Sequence, residues 1–298
     1  MRTPITAFAV ALGACLLVAP RPVTAQVTLD TTIAVRSGAR VELQNIAGSI
    51  EVRVTRRSEV RVRVEHERAR IEVDATPGVV SVRTVPRRNS GEATYTVEVP
   101  AGTPLRVSTM AGDIDVQGVC GETDLHTMSG DVVLDCARGN VTARSASGEV
   151  TVSDVRGRLE ANSYSGSVIV RTAQAEVAAQ SISGDVTLDG VDGREVTAET
   201  VSGEVRFRGA ISDGGRYHFQ SHSGDVTVQP VGREFSATVT VNTFSGDLET
   251  DFPVTLTQSG RIRPREFEFT VGRGGARLSL SSFSGTIYLR RGAPGRED

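Results

Sequence analysis

Apolar and polar residues alternate through most of this chain. Val41-Glu42-Leu43, Ile50-Glu51-Val52-Arg53-Val54 and Val60-Arg61-Val62-Arg63-Val64 keep a period of two, the pattern of a strand with one buried face. Residues 71–73, 79–85, 95–99 and 105–108 read the same way, separated by turn chemistry at Thr76-Pro77-Gly78, Asn89-Ser90-Gly91 and Pro100-Ala101-Gly102. From residue 109 onward a second order appears on top of the first. A phrase of the form Ser/Thr-x-Ser-Gly-Asp/Glu-Val recurs, with its glycine at Gly112, Gly130, Gly148, Gly166 and Gly184, a step of 18, and then more loosely at Gly203, Gly224, Gly246 and Gly285. A weaker copy, Ala47-Gly48-Ser49-Ile50, lies upstream. A fixed period of this length marks a repeat architecture.

Counted from each motif glycine, apolar residues fall at +2, +4, +11 and +13, as Val150, Val152, Leu159 and Ala161 after Gly148. A second glycine sits at +9, as Gly121, Gly139 and Gly157. The pattern predicts an all-β chain: a parallel β-solenoid, a flattened two-sheet β-helix of about 18 residues per coil whose sheets face each other about 10 Å apart. Each coil divides into two nine-residue halves, and the glycines serve turns of positive φ. The six-residue apolar beat of a hexapeptide helix is missing. Residues 26–108, poor in the phrase, form an N-terminal β region that caps the solenoid of residues 109–290, and residues 291–298 are a disordered tail. Residues 249–281 lack the phrase and hold a hairpin or an extra coil before the last turn at Gly285.

Continued alternation turns both hydroxyl positions of the phrase inward, Thr127, Ser145, Ser163 and Ser181 as well as Ser129, Ser147, Ser165 and Ser183, as a ladder that satisfies buried polar groups. The variable residue between them faces out. Met128, Tyr164, Ile182, Val201, His222, Phe244 and Phe283 then form an apolar contact stripe, unless a loop or the N-terminal region covers it or the turn tucks it inward. The acids after the glycine, Asp113, Asp131, Glu149, Asp185, Glu204, Asp225 and Asp247, form an exposed column. Calcium is the one cofactor this column suggests, against ordinary turn chemistry.

Composition narrows the function classes. Aromatic residues make up 4% and Trp is absent, so the core is Val, Ile, Leu and Ala. A net charge of −3 gives no nucleic-acid surface. Arg53, Arg61 and Arg63 share a face with Glu51, Glu59, Glu65 and Glu67, which reads as cross-strand ion pairing. His218 and His222 lack a third ligand, and Ser221, His222 and Asp225 belong to the repeat rather than to a triad. No catalytic, cofactor or metal residue is assigned, and the chain is read as not an enzyme.

Residues 1–25 have the anatomy of a signal peptide. Arg2 is the positive start, Ile5 to Ala19 the apolar run, and Val23-Thr24-Ala25 the cleavage motif. Cleavage near Ala25 gives an extracytoplasmic protein, periplasmic or secreted, with no transmembrane segment in the mature chain. Leu12-Gly13-Ala14-Cys15 offers a lipoprotein alternative. Export permits disulfides: Cys120 and Cys136, on neighbouring coils, read as a bridge or as two buried thiols.

The Ser-Gly-Asp-Val ladder, with Asp131, Glu149, Asp185, Glu204 and Asp225 after the glycine, resembles the bacterial putative adhesin family, a β-strand-repeat domain of unknown function. The likeness covers residues 30–290. It implies an exported, envelope-associated β-solenoid and brings no catalytic residues. The function expected is a non-enzymatic surface or envelope binding module whose partner is an envelope protein or a glycan. A structural or envelope-stress scaffold is the alternative, and a carbohydrate-active enzyme on a β-helix the third.

Overall fold

The structure, a computed structural model, describes residues 27–36, 38–86, 91–118, 121–232, 236–253, 255–256 and 266–292. Its elements are strands, stacked as coils. In the coil after Gly148 the strand Val150–Ser163 turns six side chains inward: Val150, Val152, Val155, Leu159, Ala161 and Ser163. It pairs in parallel with Val132–Ser147 on one side and Val168–Ser183 on the other, in register 18 residues apart, so that Val132, Val150 and Val168 form one column and Val141, Leu159 and Val177 another. Fully burying such a side chain stabilises by about 1.5–3 kcal/mol, and the columns repeat the gain coil after coil. This is the solenoid expected from the alternation.

The cross-section differs from two equal halves. The chain bends at +6, where Gly118, Cys136, Asp154, Thr172 and Gly190 all take the left-handed conformation, with φ of 78°, 60°, 48°, 52° and 69°. The +9 glycines complete the corner, Gly139 at φ 108° and Gly157 at φ 128°. Between the two bends +7 points inward, so Ala137, Val155, Ala173 and Val191 are buried on a narrow third side. The glycine pattern does not mark the bend at +6, because three of its five residues are not glycine. A left-handed non-glycine residue costs about 1–2 kcal/mol, which the flanking ladder must outweigh at Thr172.

The motif glycines answer a different need from the one expected. A Cβ on Gly112 would run into the carbonyl of Gly48. The same holds for Gly130 against Gly112, Gly148 against Gly130, Gly166 against Gly148, Gly184 against Gly166, Gly203 against Gly184 and Gly224 against Gly203. At Gly112, Gly130, Gly203 and Gly224 φ is also positive, but at Gly148, Gly166 and Gly184 close backbone stacking alone excludes a side chain.

The column also reveals the order of coils in space. Gly285 stacks on Gly224, and Gly246 stacks on Gly285. The strand Ala276–Ser282 lies between Val205–Ser223 and Ala237–Thr243, parallel to both, and Ile287–Leu289 lies between Val226–Pro230 and Leu248–Thr250. The last coil of the sequence is thus inserted before the one that precedes it. The N-terminal end does the same. Arg40–Gln44 pairs with Leu105–Ala111 on one side and Val79–Val85 on the other, and Ile50–Thr55 pairs with Ile114–Gln117 and Ala93–Pro100.

Antiparallel strands close both ends. Val27–Ala34 pairs with Glu59–His66, and Arg70–Ala75 with Val79–Val85. Glu266–Val271 lies against Ala237–Thr243, with Thr255–Leu256 beyond it, so the phrase-free segment is a hairpin. These strands cover the edges that a parallel stack would leave open. Asp30 on the first of them accepts hydrogen bonds from Arg61 Nε and Nη2 at 3.0 and 2.8 Å and from Arg63 Nη2 at 3.2 Å, while Arg53 pairs with Glu51. The Arg61 hydrogen bond, with Arg63 adding to it, holds the Asp30 carboxyl at about 2.

Candidate functional site

The turn at each motif glycine sorts the phrase into layers. Three residues before the glycine, Thr127, Ser145, Ser163, Ser181, Thr200 and Ser221 are buried. Their hydroxyls donate to the carbonyls of Gly112, Gly130, Gly148, Gly166, Gly184 and Gly203 at 2.8–3.1 Å. A buried carbonyl left unpaired costs about 1–3 kcal/mol, so the glycine that brings the coils close requires the hydroxyl that caps it. In the coil of Gly48 the place is taken by Asn45. Its Nδ2 donates to Ala93 O at 2.7 Å and Gly48 O at 2.9 Å, and its Oδ1 accepts from Thr84 Oγ1 at 2.9 Å. Thr84 in turn meets the hydroxyl of buried Tyr95, whose pKa burial pushes up to about 12.

The second hydroxyl of the phrase corrects the expected ladder. Ser129, Ser147, Ser165 and Ser183 are exposed. Alternation stops three residues before the glycine because the chain is already bending, so the next two residues both face solvent.

The acid column has backbone partners. Asp113 Oδ1 accepts the N–H of Asp131, Asp131 that of Glu149, Asp185 that of Glu204 and Asp225 that of Thr286, at 2.7–2.9 Å. Where the residue is Glu the carboxylate reaches elsewhere, Glu149 to Thr151 Oγ1 at 2.8 Å and Glu204 to Arg206. Turn chemistry thus engages Asp113, Asp131, Asp185 and Asp225 of the carboxylates considered for calcium. Among the described residues no three His, Cys, Asp or Glu side chains are grouped to hold a metal ion. His218 lies 3.7 Å from Glu199 and His222 stacks on Phe283, so the two histidines serve different columns. Cys120 lies outside the described residues, and its pairing with Cys136 with it; Cys136 occupies the +6 corner.

The variable column lies at the surface. Met128, Tyr164, Ile182, Val201, Phe244 and Phe283 are exposed, Tyr164 by 61%, and Met110 extends the row. Because Gly285 stacks between Gly224 and Gly246, the row ends His222, Phe283, Phe244. Its rings stack at 4.7 and 4.6 Å between centroids, tilted by 14° and 6°.

Beside this stripe runs a second outward column, four residues before each glycine: His126, Arg144, Asn162, Gln180, Glu199 and Gln220. Its uniform polarity is visible in the sequence. The two columns wall a groove of about 680 Å³ over the hydroxyl ladder, with Ala146, Tyr164, Ile182, Val201 and His222 on one side and the polar column on the other. The five steps of about 4.8 Å between six coils give it a length of about 24 Å along the solenoid axis. Its arginine is paired locally. Arg144 Nη2 binds Glu160 Oε1 at 2.7 Å, which lowers the pKa of Glu160, and Glu199 accepts from Gln180 Nε2 at 3.2 Å. Buried in the polar wall, Asn162 Oδ1 has no hydrogen-bond partner. The hydroxyls beneath are committed to glycine carbonyls, so none is poised as a nucleophile.

Among the described residues no helix is long and apolar enough to cross a membrane, which leaves strands unaddressed. Solved structures with a similar outline include a putative adhesin from Bacteroides fragilis, 10% identical, covering 91% of this chain and all of its own, at a TM-score of 0.39. A putative adhesin from Parabacteroides merdae is 9% identical over 89% of this chain and 96% of its own, at 0.34. A putative cell adhesion protein from Clostridium sporogenes is 9% identical over 89% of this chain and all of its own, at 0.23. No curated protein matches the chain. A family model does, over residues 49–290, nearly the whole stack of coils from the Gly48 turn to the last strand, and the chain belongs to the Toastrack DUF4097 family, a domain of unknown function.

Proposed function

We propose that this protein is a non-enzymatic binding module, exported to the cell envelope or surface, that holds an extended partner in the groove between its apolar stripe and its polar column. The observation that carries the reading is the stripe itself. Tyr164, Ile182 and Val201 are exposed side by side on adjacent coils, although the same fold buries every apolar residue at +2 and +4 between Gly130 and Gly203. Nothing in coil stacking requires them to be apolar, and a contiguous exposed apolar strip marks a contact surface. The groove offers amides, an aromatic ring and aliphatic surface, which are groups for recognition. Residues 1–25 are removed on export in this reading, residues 26–108 cap the solenoid of residues 109–290, and residues 291–298 are a tail.

The test is capture from envelope fractions by the exported protein and by its Tyr164→Ser/Ile182→Ser/Phe283→Ser variant. Surface positions of this kind change stability by less than about 0.5 kcal/mol, so melting should be alike. The wild type should retain material that the variant loses. Equal capture by both would overturn the reading.

A further inference from the structure

We infer that the groove takes a linear, uncharged glycan lying along the solenoid axis; this rests on the binding-module reading and names the partner's chemistry. Three features of the groove select that class. The first is its charge balance. Arg144 is paired with Glu160 and Glu199 is a single carboxylate hydrogen-bonded to Gln180, so neither an anionic polymer nor a basic peptide finds a row of opposite charge. What remains is Asn162, Gln180 and Gln220, whose amides both donate and accept, facing the ring of Tyr164 and the aliphatic side chains of Ile182 and Val201. A sugar presents the complement, hydroxyls that donate and accept around its rim and an apolar C–H face.

The second feature is direction. The groove crosses the strands, and the backbone under it is already spent between coils: Tyr164 N–H donates to Ser145 O, Ser165 N–H to Ala146 O and Ser183 N–H to Tyr164 O, at 3.0–3.1 Å. An extended peptide binds a sheet by adding to a free edge. Here it would find no edge, and its own N–H and C=O groups would be left to water and the wall amides. A glycan has no such backbone to satisfy. The third feature is repetition. Because the columns repeat at each coil, the groove presents similar contacts in series, which suits a polymer of like units.

The experiment uses a fixed panel of purified soluble polymers: neutral linear β-glucan, xylan and mannan, the acidic polymers heparin and hyaluronan, and an unstructured polypeptide. Binding to the exported protein is followed by calorimetry. The chain has no Trp, so Tyr164→Trp places a single fluorescent reporter in the groove. At least one neutral polysaccharide should bind and shift the reporter's emission. Tyr164→Ala and Asn162→Ala should each weaken it by about tenfold or more, the loss of one central anchor. Glu176→Gln, on a coil face outside the groove, should leave it unchanged. Failure of all three neutral polymers to bind overturns the glycan assignment, as does binding that Tyr164→Ala leaves intact. Groove-dependent binding of an acidic polymer or of the polypeptide instead would also overturn it. If neutral glycans fail while the Tyr164→Ser/Ile182→Ser/Phe283→Ser variant still loses its envelope partner, the glycan assignment falls and the binding-module reading stands. If capture is also unchanged, both fall.

Discussion

Phe244 and Phe283 stack face to face, 4.6 Å between centroids and 6° from parallel, although the chain runs through a hairpin between them. On the far side of Phe283 lies His222, the residue that precedes Phe244 in the repeat. Adjacent coils place Cα atoms about 4.8 Å apart, within the span of a disulfide, whereas two coils exceed its limit of about 7 Å. The pairs His222→Cys/Phe283→Cys and Phe244→Cys/Phe283→Cys should therefore cross-link under mild oxidation, and His222→Cys/Phe244→Cys should not. Peptide mapping by mass spectrometry reads the result. A bridge in the third pair alone would refute the spatial order of coils.

The glycine column predicts a sharp contrast between two Gly→Ala changes. At Gly166 a Cβ meets the Gly148 carbonyl, whereas at Gly78 it meets nothing within 4 Å. Overpacking against backbone has no cheap relaxation, so Gly166→Ala should cost about 3 kcal/mol or more. Gly78→Ala should stay within about 0.5 kcal/mol. Denaturant unfolding of the two variants distinguishes them, and similar midpoints would contradict the close-stacking account.

Two serines of one phrase should behave differently. Ser163 donates to Gly148 O from a buried site at 2.8 Å, while Ser165 is exposed. Ser163→Ala should lower stability by about 1–3 kcal/mol, the cost of an unsatisfied buried carbonyl. Ser165→Ala should shift it by less than about 0.5 kcal/mol. Equal effects in thermal melts would count against an internal ladder built from the first hydroxyl only.

Asp30 ties the N-terminal capping strand to Arg61 and Arg63, and its folded pKa of about 2 lies below the ordinary 3.8. A depressed carboxylate adds stability above its unfolded value and loses it as pH falls through the folded one. The contribution is therefore complete above about pH 3.8 and disappears as pH falls from there through about 2. Both partners are solvated, so the effect is local. Amide exchange in Val27–Ala34 should accelerate over that window in the wild type and show no such step in Asp30→Asn. A titration of Asp30 at its ordinary value would remove the basis for it.

Strands, turns and the outward direction of Tyr164, Ile182 and Phe283 were legible because each depends on neighbours within two or three residues. The same local rule misplaced Ser129, Ser147, Ser165 and Ser183, since it carried alternation one residue too far into a bend. It passed over the corner at Cys136, Asp154 and Thr172, where the stacked ladder imposes a conformation those residues do not prefer. It also left the polar wall unread. His126, Arg144, Asn162, Gln180, Glu199 and Gln220 gain meaning only when the space beside Tyr164 is seen to be open.

The repeat in the sequence thus settled the coil and its inward and outward faces, since period two and the spacing of glycines are properties of a single strand and its turn. It could not settle which coil lies on which. Every coil edge presents the same pattern of N–H, C=O and aliphatic residues, so many stacking orders satisfy the local rule equally. The choice is made by contacts across long stretches of chain, such as Thr286 N–H on Asp225, 61 residues away, and Ser282 Oγ on Gly224 O, 58 residues away. Those contacts bring His222, Phe283 and Phe244 into one stack and give the apolar stripe its C-terminal end.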